Sequence, residues 1–138
     1  MASIYAKFII EIAGKPVENV EKALALVLKQ IEDEKTNFKL VESHTGNPEL
    51  DEKSTLHCGF LDVEIKFKEF NKIFDFMLDY TPTSVEVIEP SKITFELNDL
   101  NTLLNEVGTK TLSSQNQIRQ LNAHLHMMNK KIKELENK

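Results

Sequence analysis

Histidines, a cysteine and clustered carboxylates are the residues of this chain that could begin a chemistry. His57 and Cys58 are adjacent, and His44 lies upstream. Two imidazoles and a thiol are the donors that a zinc-like ion prefers. Yet His57-Cys58 falls in an apolar run that reads as a strand, where neighbouring side chains point to opposite faces. Cys58 therefore reads as a small core residue. His124 and His126 are two apart in a helical pattern and do not share a face. Glu32-Asp33-Glu34 and Asp51-Glu52 are adjacent carboxylates at a helix end and in a loop, a pattern that solvates a surface. Catalysis requires a nucleophile or an acid–base pair held in place by its neighbours. The sequence has no Gly-rich phosphate loop, no Gly-x-Ser-x-Gly elbow and no His-Glu-x-x-His. The expectation is a protein that is not an enzyme and that takes no metal and no cofactor.

Charge narrows the partners. The chain carries −5 overall, but residues 1–108 hold 11 Lys against 20 Asp and Glu, and residues 109–138 hold five Lys and Arg119 against two Glu. The first part is thus −9 and the tail +4. An acidic head without arginine lacks the usual bidentate phosphate ligand. It also repels phosphate backbones, whose attraction dominates nucleic-acid affinity. With 138 residues, 15.8 kDa and 41% apolar content, the chain has room for one domain and an appended helix. Its longest strongly apolar run, Ala23 to Leu28, is far short of the ~20 residues that a membrane span needs. Met1 to Lys15 shows no small-residue cleavage site, so no signal peptide is expected. A single cysteine forms no internal disulfide, which suits a reducing, cytoplasmic compartment.

The elements follow from periodicity. Ile4, Ala6, Phe8, Ile10 and Ile12 alternate with more polar neighbours, the period of a strand. Gly14-Lys15-Pro16 breaks it, and proline suits the start of a helix. Val17, Val20, Leu24, Val27, Leu28 and Ile31 then recur at helical spacing, with the helix ending near Lys35. Asn37 to His44 reads as a second strand, and Thr45 to Ser54 as a polar connection. Leu56, Cys58 and Phe60 begin a third strand, which Leu61, Val63, Ile65 and Phe67 continue in opposite phase. That slip beside Gly59 predicts a bulge. Phe70, Ile73, Phe74 and Met77 form a second helical stripe, ended by Pro82, and Ser84 to Ile88 reads as a fourth strand.

Strand, helix, strand, strand, helix, strand with right-handed crossovers gives an α+β, ferredoxin-like βαββαβ arrangement: an antiparallel sheet with two helices on one face. Tyr5, Ile9 and Val41 are candidates for the uncovered face. The same strand order occurs in RNA-recognition modules, where Tyr5 and Phe60 would be cast as stacking aromatics; the −9 charge argues against that use.

Phe60-Leu61-Asp62-Val63-Glu64-Ile65, then Phe74 to Tyr80, then Val85-Glu86-Val87-Ile88-Glu89-Pro90 resembles the C-terminal extension of WYL-domain transcription regulators, over about residues 61–97. The resemblance implies a ferredoxin-like fold and a role in association or ligand sensing. The WYL core and the winged helix of that family have no counterpart here, so it carries over no site residue.

The tail holds the most regular pattern. Ile118, Leu121, Leu125, Met128, Ile132 and Leu135 are spaced 3-4-3-4-3, with Ile118, Leu125 and Ile132 at heptad a and Leu121, Met128 and Leu135 at d. β-Branched residues at a favour a parallel two-stranded coiled coil. The phase runs back through Val107, Leu104 and Leu100. Asn98 is the expected N-cap of one helix to Asn137, against a weak stretch at Gly108–Ser114 that would permit a bend. The chain thus divides into a head, residues 1–97, and a coiled-coil-like oligomerisation helix, residues 98–138. The expected function is a protein–protein assembly module: a homodimer through Leu100, Leu104, Val107, Ile118, Leu121, Leu125, Met128, Ile132 and Leu135, with a further protein partner for the head. Small-molecule sensing is the alternative, and self-packing of the stripe is the competing account of the tail.

Overall fold

The structure is a computed structural model in which residues 3–137 are described. Its elements run β1 (Ile4–Gly14), α1 (Val17–Asp33), β2 (Phe38–Thr45), β3 (Glu49–Asp51), β4 (Leu56–Phe67), α2 (Asn71–Tyr80), β5 (Ser84–Glu89) and α3 (Leu97–Glu136). They fall into two units, Met1–Thr94 with the sheet and two helices, and Phe95–Lys138 with α3.

The sheet is antiparallel and five-stranded, ordered β2-β4-β1-β5, with β3 paired to β4. β1 and β2 are parallel to each other with β4 between them, and β4 and β5 are parallel about β1. A parallel pair needs a long connection, which α1 and α2 supply.

Alternation in β1 and β4 builds the core. Ile4, Ala6, Phe8 and Ile10 are register partners of Phe67, Ile65, Val63 and Leu61, and all eight are buried. Val20, Leu24 and Ile31 of α1, with Ile73 and Phe76 of α2, join that same cluster. Both helices therefore cover one face of the sheet.

Three local expectations are corrected. No bulge interrupts β4: its pairing with β1 is unbroken from Ile4↔Phe67 to Gly14↔His57. The odd positions from Gly59 to Phe67 are buried, while Phe60 is 44% exposed on the other face. Gly59 instead lies under α1, where a Cβ would come within 2.6 Å of Leu24 Cδ1. The register shifts fall between Tyr5 and Ala6 against β5 and between Leu40 and Glu42 against β4.

The inward stripe of α2 is Ile73 and Phe76, with Phe70 and Phe74 half-buried and Met77 37% exposed. Phe76 sets that rotation, its ring centroid lying 4.4 Å from Phe8, 5.4 Å from Phe38 and 4.6 Å from Tyr80. The helix stops before Pro82 at Thr81, a left-handed residue whose N–H donates to Met77 O at 2.9 Å.

The polar connection after β2 contains a short strand, β3, in a hairpin with Leu56–Cys58. The turn holds itself: Asp51 accepts from Lys53 N–H at 3.2 Å and Ser54 Oγ at 2.8 Å, and Thr55 takes φ 60°.

Candidate functional site

α3 starts one residue earlier than its expected cap. Glu96 is the N-cap residue, in extended conformation, and Asn98 lies in the first turn, its carbonyl accepting from Thr102 Oγ1 at 3.0 Å. Asp99 in the first turn and Lys133 in the last complement the helix dipole. The helix continues for 40 residues through Gly108–Ser114, roughly 60 Å at 1.5 Å per residue. Among the described residues, apart from its chain neighbours and the adjacent backbone of its own helix, nothing comes within 4 Å of a Cβ built on Gly108.

The heptad residues divide into two sets. Ile118, Leu121, Leu125, Met128, Ile132 and Leu135 are 49–63% exposed in the single chain. Seven-residue spacing places them on one line along the outer turns of α3. In the first turns Leu100 and Val107 are half-buried and Leu104 is 58% exposed. Leu103, one position before Leu104 and outside the a and d positions, is buried. A strict heptad reading misses it. The spacing of Leu100, Leu103, Leu104 and Val107 is that of an ordinary amphipathic face, which could have revealed it.

The outer turns carry few charges beside the seam. In a parallel pair, the residues flanking it would be Gln117 with Asn122, His124 with Asn129, and Lys131 with Glu136 of the other copy.

The sheet's second face is mixed. Tyr5 and Ile9 are half-buried on it, and Val41 is 49% exposed at the β2 bulge. Lys7 is the register partner of both Glu64 and Glu86, Glu42 faces Glu64, and His44 faces Asp62. On the other face Val85 and Val87 pair with Phe8 and Ala6, yet remain 37% and 40% exposed.

His57 and Cys58 are neighbours on β4, and His44 pairs five residues away from His57, opposite Asp62. Among the described residues, no three His, Cys, Asp or Glu side chains are grouped so as to hold a metal ion. Cys58 is half-buried and has no disulfide partner. Among the described residues, no helix is long and apolar enough to cross a membrane.

An antiparallel α+β sheet unit followed by a long helix with an exposed apolar seam defines the class. The chain belongs to the MJ0538 family, whose model matches residues 5–137 and so runs from the first strand to the end of α3. Comparison with curated proteins found no significant match, and comparison with solved structures found none either.

Proposed function

We propose that this protein is a non-enzymatic assembly module that forms a homodimer through a parallel two-stranded coiled coil of α3. The observation that carries this reading is the exposed seam. Six large apolar side chains lie in line on one helix, each 49–63% open to water in the single chain. Completing their burial against a second copy contributes on the order of 1 kcal/mol for each. The 3-4 spacing and the β-branched a positions Ile118 and Ile132 favour two parallel strands.

The sheet unit is then the part presented to another protein, through the mixed sheet face or the acidic β3 turn. We also infer a ferredoxin-like fold for it. Setting β3 aside, the order β2-β4-β1-β5 is what two α-helical crossovers through strand-helix-strand-strand-helix-strand produce, and this supports the inference. The likeness to the WYL extension is consistent with a role in association. The lone Cys58 supports a reducing, cytoplasmic setting, and the net acidity of the sheet unit argues against nucleic acid as its partner.

The test is Leu121→Asp with Leu125→Asp. Two carboxylates in the seam should abolish the dimer, read by light scattering, while the amide spectrum of residues 4–89 is retained. A double variant that remains dimeric removes the seam as the interface.

A further inference from the structure

We propose that the cavity at the start of the edge strand β2 binds a small phosphate ester, with the ester's apolar portion against Phe38. The cavity holds about 470 Å³, within the range of small-molecule sites. Lys35, Lys39, Lys66 and Lys68 line it. Their convergence runs against the charge of their surroundings. The unit of residues 1–94 holds 11 Lys against 17 Asp and Glu, net −6, and four of those lysines meet at this one cavity.

Among the described residues, none of the four is in an ion pair; Lys66 Nζ lies over the Tyr5 ring, 5.8 Å from its centroid. Lys39 and Lys66 are direct cross-strand partners, an arrangement of like charges that weakens a sheet. Both lie on the sheet face that carries Tyr5, whereas Phe38, opposite Phe67, bounds the cavity from the core side at the start of β2; a dianion held at that strand edge would turn repulsion into attraction.

Two carboxylates share the rim. Glu34 is engaged, accepting from Thr36 N–H at 2.9 Å and Asn37 N–H at 3.0 Å and so fixing the turn between α1 and β2. Glu32 lies on the last turn of α1 and leaves the lysines in excess. Phe38 is half-buried, its ring 5.7 Å from Phe67 and 5.4 Å from Phe76. It gives the cavity an apolar wall that its neighbours hold in place.

Lysine binds phosphate as a compact point charge, without the planar fork that arginine offers a carboxylate. A small ester can place its charge within the cavity. An extended polyanion or an anionic membrane would also meet the acidic remainder of the unit. The site lies wholly within residues 32–68 and does not depend on how α3 associates.

The test titrates the isotope-labelled full chain with adenosine monophosphate, inorganic phosphate and adenosine at constant ionic strength, following backbone amides. Adenosine monophosphate should give saturable shifts confined to residues 35–40 and 66–68, and should bind more tightly than phosphate or adenosine. Lys39→Gln with Lys68→Gln should weaken it about tenfold, with the remaining spectrum unchanged. Lys7→Gln with Lys92→Gln should leave its affinity as it was. Shifts spread across all lysines, or an unaltered affinity in the Lys39→Gln, Lys68→Gln variant, would overturn the proposal. So would tighter binding of a single-stranded oligonucleotide, or of phosphatidylglycerol vesicles, than of adenosine monophosphate.

Discussion

At Gly59 the sheet packs tightly under α1. A Cβ there would lie 2.6 Å from Leu24 Cδ1 and 3.2 Å from Val20 Cγ1, and both side chains are buried in the core. Gly59→Ala should therefore destabilise the sheet unit by about 1–3 kcal/mol, the cost of overpacking a filled core. Urea unfolding checks this, and an unchanged midpoint would contradict it. The sequence marks Gly59 as special but misassigns the reason. Leu56, Cys58 and Phe60 are apolar on the face opposite the core, and hydrophobicity alone does not separate a two-sided strand from one whose phase has slipped. Glu34 supports a second residue-level prediction. Backbone N–H donation from Asn37, then Thr36, favours its ionised form and lowers its pKa from the usual glutamate value. A depressed folded-state pKa means that the contribution is present above the unfolded value and is lost as pH falls through the folded one. A carboxyl titration by NMR should place Glu34 below a glutamate in an unfolded peptide; a midpoint at or above that reference would remove the turn's charge-assisted bonds.

Among the elements, β1, α1, β4 and α3 are legible because each repeats its period for long enough to outweigh local propensity. Ile4 to Ile10 alternate, Val20 to Ile31 follow a helical stripe, and both patterns coincide with buried positions. β3 is not legible in the same way. Its three residues are all exposed, so only pairing with β4 makes it a strand. The face of α2 is set by the aromatic partners of Phe76, which come from β1 and β2 and lie far away in sequence. α3 persists through Gly108 and the Thr and Ser residues after it despite their poor helix propensity. Gly108 is then a weak link with no steric duty, since nothing stands near its missing Cβ. Gly108→Ala should stabilise α3 by about 0.5–1 kcal/mol. The expected readout is a higher melting midpoint of helical circular dichroism; a lower one would show that the position needs glycine.

For the whole molecule, the division of charge and exposure carries the argument. The sheet unit closes its own core on one side and is acidic overall, while the outer turns of α3 leave an apolar line open along the basic stretch 109–138. That line was readable in the sequence because a heptad needs no tertiary context. The lysine-lined cavity was not, since Lys35, Lys39, Lys66 and Lys68 come from two stretches that only the β2–β4 pairing brings together. The association of α3 is the claim on which the account turns, and the mass of the unmodified full chain in solution tests it most directly. Light scattering across a dilution series should give about twice the 15.8 kDa of one chain, falling only at low concentration. A mass of one chain at every concentration would contradict the account.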